Sequence, residues 1–360
     1  MIKKSLDDLD YDPSSGVKLM RRLEWSCLRT QISYIHIVIS SMSIALKQST
    51  PVVFLSSSVA IWKRLECIDP KTLFEGTVSV WMNENLSHES LIERPALLFR
   101  CDDRIYEIPQ LFSCFLRILS FYLTASRCYI TQKVSTTPTF SSVKDERAER
   151  DELARSLLGT QDSMVVQILL EICDRSKHSA IHHLCCGFIH QMFIADPILS
   201  KLVHFQTYPI RLIPMAVRGI PSMHICLEFI HELLTLSNLS QRVFAIVLVT
   251  ELASQYKIES SYLRVGLILD VLFTLLRSLP CDESLELFEN VVPSLGRIMC
   301  LFPQLSADIT DILTRVSSIA KSRMAVSATI IKRRCCLERK LIDLINKTLA
   351  DAKVKINISN

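Results

Sequence analysis

Glycine occurs only seven times in 360 residues, and that scarcity restricts the folds open to the chain more than any other feature. Nucleotide-binding α/β enzymes use glycine where a strand turns tightly into a helix, and seven glycines over this length do not supply such turns. The apolar residues instead recur at helical spacing. Leu111, Phe112, Phe115, Leu116, Leu119, Tyr122 and Leu123 mark one broad face of a helix, and no segment alternates as a strand does. Half of the chain is hydrophobic, 49%, enough to fill a large core. The expected fold is all-α: an irregular α-solenoid-like array of antiparallel helices of the HEAT or armadillo kind. No repeated signature fixes its period.

Proline and polar runs divide the array. Residues 1–20, with Asp-Pro-Ser-Ser-Gly at 12–16, read as an irregular lead-in, and 21–130 as an N-terminal helical region. Residues 131–143, rich in Ser, Thr and Pro, read as a flexible loop. A C-terminal helical-repeat region over 144–350 and a tail over 351–360 follow. Within it, 145–158 reads as one helix, and Asp162 or Ser163 as the cap of the next. Pro197 suits the first turn of a helix. Pro293 lies inside the 283–302 helix and predicts a kink or break near Asn290.

Chemistry is sparse. The net charge of +4 implies no partner by itself. Thirteen cysteines, mostly in apolar helical patterns, suit a reduced intracellular setting without a disulfide framework, and no signal peptide is expected at Met1. Two apolar stretches, 32–46 and 244–249, fall short of the roughly 20 apolar residues that span a bilayer and read as helices buried in protein. His178, His182, Cys186 and His190 follow at intervals of four, with His183 and Cys185 beside them. Ile181, Leu184, Phe188 and Ile189 interleave with them, so packing is favoured over metal binding. Cys300 with Cys335 and Cys336 has no second pair to complete a site. No phosphate-binding glycine loop or nucleophile elbow occurs. The chain is therefore expected to be no enzyme and to need no cofactor or metal. The end of the chain is basic, with ten Lys or Arg against three acids from Lys321 onward. Lys332, Arg333 and Arg334 form a candidate basic patch for RNA or an acidic partner. No aromatic residue interleaves there for base stacking.

Several segments resemble the Integrator complex subunit 2 family. The longest is FIADPILSKLVHFQTYPIRLIPMAVRGIPSMHICLEFIHELL at 193–234, and a second is LFRCDDRIYEIPQLFSCFLRILSFYLTASRCYI at 98–130. TQDSMVVQILLEIC at 160–173 is a third. Weaker similarity runs through 241–256 and CCLERKLIDLINKTL at 335–349, whereas the first 90 residues match poorly. The loop at 131–143 and the join at 174–179 look shorter than the family's. Family members are much longer, so the resemblance places the chain in their C-terminal portion. It implies a helical scaffold without an active site, in a nuclear assembly that acts on small nuclear RNA 3′ ends and terminates RNA polymerase II transcripts. The implied partners are other Integrator subunits and, indirectly, the polymerase; direct RNA contact is the alternative. The implied location is the nucleus.

Two turns, HFQTYP at 204–209 and RGIPSMH at 218–224, flank one short helix. His204, Phe205, Tyr208, Arg218, Met223 and His224 are thereby a candidate partner surface, since turns and these residue types favour interfaces. The equal alternative is that His204, Phe205 and Tyr208 seal a joint between consecutive helices.

Overall fold

The computed structural model describes residues 95–96, 98–99, 103–135, 143–256, 259–327 and 335–359. Among the described residues every regular element is helical, and no strand occurs. The lead-in, the 32–46 stretch and the basic patch Lys332, Arg333 and Arg334 lie outside the described residues. The chain divides into two units, Met1–Leu199 and Ser200–Asn360.

In the first unit, helices α1 (Pro109–Ser135), α2 (Val143–Arg175) and α3 (Ser179–Ala195) pack against one another. The apolar face read from the sequence is the buried one. Leu111, Phe112, Phe115, Leu116, Leu119 and Tyr122 are all enclosed, each burial contributing about 2 kcal/mol of hydrophobic stabilisation. Phe115 meets Phe99 edge-on at 5.1 Å and Tyr106 at 5.9 Å. Helix α1 continues beyond the expected boundary at 130, because Ile130 and Val134 prolong the buried stripe and Thr131 Oγ1 bonds the Arg127 carbonyl at 2.9 Å.

Helix α2 runs unbroken through Gly159, where a new start was expected at Asp162 or Ser163. Asp162 does not cap: it is buried and accepts from Arg127 Nη2 at 2.7 Å. Gln161 Nε2 donates to Ser126 Oγ at 2.9 Å beside it. Tertiary pairing with α1 thus claims the side chains that local preference would use as a cap.

The second unit holds the end of α4 (Pro197–Gln206) and then α5 (Ile213–Gly219), α6 (Cys226–Thr235), α7 (Leu239–Gln255), α8 (Glu259–Ser278), α9 (Cys281–Leu301), α10 (Ser306–Ser327) and α11 (Cys335–Ser359). Asn238 Oδ1 caps α7 by accepting from the Ser240 amide at 2.9 Å. Every residue from Val243 to Ile246 and from Leu248 to Ala253 is buried, and α7 touches α5, α6, α8 and α9. A helix apolar all round belongs at the centre of a fold, which is where the 244–249 stretch sits. Among the described residues no helix is long and apolar enough to cross a membrane.

Helix α9 carries Pro293 without breaking, so of the two outcomes expected there the break does not occur. Pro293 is exposed, and the buried stripe of Val291, Val292 and Leu295 continues on either side of it. Asn290 Nδ2 turns back to the Glu286 carbonyl at 2.9 Å. Helices α9 and α11 approach closely at Gly296, where a Cβ would strike Thr348 Cγ2. The expected tail at 351–360 is helical through Ser359, with Ala352 buried in line with Leu341 and Ile345.

Candidate interaction surface

The turn between α4 and the short 3-10 helix Ile210–Leu212 sinks its aromatic residues inward. His204 is 1% exposed and Tyr208 7%. Their rings meet edge-on at 5.5 Å, and Tyr208 meets Phe244 of α7 at 4.9 Å. His204 Nδ1 lies 2.7 Å from the Ser200 carbonyl. A carbonyl only accepts, so Nδ1 carries the proton, and Nε2 is left to accept from the Tyr208 hydroxyl at 3.3 Å. Cys226 Sγ approaches the same Nε2 at 3.5 Å and Ser200 Oγ at 3.7 Å.

Burial sets the charge state of this group. It holds the His204 imidazole at about 4, with the Ser200 bond acting weakly the other way. It raises the Cys226 thiol to about 12 and the Tyr208 phenol well above its ordinary value. All three are neutral near pH 7. They form a polar knot joining α4, the turn after it and α6, with the Tyr208 ring against Phe244 of α7, not a reactive site open to solvent.

The six residues proposed from sequence therefore separate. His204, Tyr208 and Met223 are buried and seal the joint. Phe205 is half-buried, with Lys201 Nζ 5.5 Å over its ring and Phe229 at 6.3 Å. Arg218 and His224 are exposed. Arg218 Nε donates to the Pro214 carbonyl at 2.9 Å. The His224 ring sits edge-on to Tyr256 at 6.0 Å, with Nδ1 3.1 Å from the Pro221 carbonyl.

Sequence reasoning misses the solvent face between the two turns. Arg211 is exposed and Pro214 and Met215 are half-exposed, while Leu212, Ile213, Ala216 and Val217 are buried. That order, with Arg218 closing it, is one helical face turned outward and one turned in. The signal is present in the spacing of the short helix read between the two turns, but a choice by residue type falls mainly on the turns. Thr207 reverses the chain with φ +62, a left-handed conformation rare for a β-branched residue.

The histidine and cysteine group on α3 disperses. His178 precedes the helix as its N-cap, and His183 is exposed. His182 Nε2 bonds the Ser176 carbonyl at 2.8 Å. Cys185 and Cys186 enter the core. The Cys173 thiol is raised chiefly by its contact with Cys185, and that of Cys186 chiefly by its contact with Cys173. Among the described residues no group of three or more His, Cys, Asp or Glu side chains is placed to hold a metal ion. An open groove of about 440 Å³ is lined by Ser254, Gly296, Arg297, Cys300, Thr348 and Lys355, among others. Its arginine is engaged with Glu251.

The model of the family described as Integrator complex subunit 2 matches residues 1–325. The match takes in the first 90 residues, which the sequence blocks leave outside the resemblance, and ends before α11. Integrator complex subunit 2 of Homo sapiens is 31% identical over 373 residues, covering 87% of this chain and 31% of that protein. The Drosophila melanogaster protein of the same name is 29% identical over 350 residues, covering 91% of this chain and 32% of its own length. An Integrator complex subunit 2 homolog of Dictyostelium discoideum is 32% identical over 266 residues, covering 64% of this chain and 19% of its own. The chain thus spans about a third of the human and fly relatives or less. With a match that runs through residues 1–325 of 360, the chain belongs to the Integrator complex subunit 2 family.

Proposed function

We propose that the chain is a non-catalytic scaffold subunit of the Integrator complex. It acts in the nucleus, contacts other Integrator subunits, and supports 3′-end processing of small nuclear RNA and termination of RNA polymerase II transcripts. Contact with the polymerase is indirect. Family membership supports this reading. So does the use of the buried polar groups. Asp162 with Arg127, Glu251 with Arg297, and His204 with Cys226 each tie one helix to another. Groups spent on holding helices together suit a framework rather than a reaction.

The test is affinity purification of the tagged protein from nuclear extract, with and without nuclease, read by mass spectrometry. Near-stoichiometric recovery of other Integrator subunits in both samples is expected. Recovery of none of them would reject the reading.

Direct RNA binding is a second reading, motivated by the exposed side of α11. Arg339, Lys340, Lys347, Lys353 and Lys355 all face solvent there. Affinity for RNA that falls steeply with salt, and falls further on neutralising Lys340 and Lys347, would favour it.

A further inference from the structure

Helix α8 turns Val265, Ile268, Leu269, Leu272 and Leu275 into the unit, where it packs on α6, α7 and α10. Its opposite side begins apolar as well. Leu263 is 65% exposed, Leu267 is half-exposed one turn on, and the first charge on that line is the exposed Asp270. Gly266 lies between the two leucines, and a Cβ there would meet nothing within 4 Å. Glycine weakens a helix interior, and the fold makes no use of this one, unlike Gly296, where Thr348 fills the space. The missing side chain leaves room for a backbone to approach from outside. Arg264 flanks the leucines on the side away from Asp270. It is half-buried, and its Nε is shielded from water without an acceptor. Among the described residues no hydrogen bond or ion pair engages the Arg264 guanidinium or the Asp270 carboxylate.

We propose that this face docks an amphipathic helix of another protein in the assembly. That helix lays small and apolar residues against Leu263, Gly266 and Leu267, offers a carboxylate to Arg264 and sets a cation opposite Asp270. Arg264 and Asp270 stand six positions apart, about 9 Å along the axis, so the occupant carries its acid and its base at a matching interval. The proposal rests on the reading of the chain as an Integrator subunit. Covering the two leucines supplies attraction, and the charges select the partner and its register. Arg264 gains a charge-assisted bond that its own fold does not provide. Nucleic acid fits poorly, because phosphates gain nothing from two leucines and are repelled by Asp270.

The test uses the full tagged chain in cells, with Leu263→p-benzoylphenylalanine as a photo-cross-linker and Gly266→Leu and Arg264→Glu as separate variants. The cross-link is expected to fall on one other subunit, within a peptide that carries a carboxylate and a cation beside apolar residues. Gly266→Leu is expected to recover that subunit roughly tenfold less well. Its circular dichroism melting temperature should not fall, since leucine favours a helix over glycine and its Cβ meets open space. Arg264→Glu should weaken recovery too, and a lysine in place of the partner's carboxylate should restore it. A cross-link to RNA, to this chain, or to a peptide without a carboxylate overturns the proposal. So does undiminished recovery by Gly266→Leu, or recovery of the complex without any cross-link, and either result leaves the scaffold reading standing. If the unmodified chain recovers no Integrator subunit, the scaffold reading falls, and the docking proposal with it.

Discussion

Arg297 of α9 grips both carboxylate oxygens of Glu251 on α7, Nη1 against Oε1 and Nη2 to Oε2 at 2.9 Å. The Glu251 side chain is 6% exposed and that of Arg297 47%, so the carboxylate depends on this partner while the guanidinium still reaches water. Removing the cation strands a buried charge; removing both does not. Arg297→Met is expected to destabilise by roughly 2–4 kcal/mol, whereas Arg297→Met with Glu251→Met recovers most of that loss. Denaturant unfolding of the four members of the cycle checks it. Equal losses in the single and double variants would contradict it.

Acid should loosen the joint around His204. Its folded value of about 4 lies below the ordinary 6.5, so between these two values the unfolded chain binds more protons than the folded one. Stability is complete above 6.5 and is lost as pH falls toward 4. A shift of this size corresponds to roughly 3 kcal/mol. Unfolding free energies at pH 7.5 and 4.5, compared with those of His204→Gln, measure it. The variant, unable to titrate, should show a flatter profile.

Asp162 should behave in the opposite sense. Burial raises its carboxyl above the ordinary 3.8, outweighing the Arg127 guanidinium that lowers it. The folded state therefore holds the proton longer, and this residue's contribution is greatest in acid and declines as pH rises through the raised value. Hydrogen exchange in α1 and α2, followed from pH 4 to 7, should lose that decline in Asp162→Asn. Identical profiles for both proteins would contradict the assignment.

Gly296 tests the approach of α9 to α11. Alanine gains about 1 kcal/mol of helix propensity over glycine, yet here its Cβ meets Thr348 Cγ2, and overpacking costs roughly 1–3 kcal/mol. Gly296→Ala should therefore not stabilise the protein and should lower its melting temperature. Adding Thr348→Ser, which lacks Cγ2, should restore it.

Phe205 and Tyr208 test whether the joint matters for assembly. Tyr208→Ala removes a buried ring against Phe244 and should cost roughly 3–5 kcal/mol. Phe205→Ala, at a half-buried site, should cost less. The double variant is expected to reduce co-purification of other Integrator subunits. Unchanged recovery would show that this joint does not matter for assembly.

Hydrophobic periodicity makes much of the fold legible in the sequence. The α1 stripe from Leu111 to Tyr122 can be read because few polar positions interrupt it. Pro197 marks the start of α4 because its ring suits a first turn. Other features depend on partners that a linear reading does not reveal. Asp162 looks like a cap until Arg127, 35 residues earlier, is placed beside it. Pro293 looks like a break until the buried stripe is seen to continue past it. The six surface candidates rest on residue type, and type does not separate a buried tyrosine from an exposed one. Arg211 escapes such a reading because it lies on the short helix between the two turns that supply the candidates.

The polar knot at His204 also governs which alignments of the helices are possible. Purely apolar helix faces can slide by a turn at modest cost, since one leucine replaces another. The Ser200 and Tyr208 bonds of His204 are local to α4 and the turn after it, but the Cys226 thiol of α6, 3.5 Å from Nε2 and 3.7 Å from Ser200 Oγ, meets both groups in only one register of α4 against α6. A slip of α4 along α6 would strip the buried Cys226 thiol of both contacts, at a cost of about 1 kcal/mol. The knot thus acts as a ratchet tooth between α4 and α6, fixing the height at which the two helices meet.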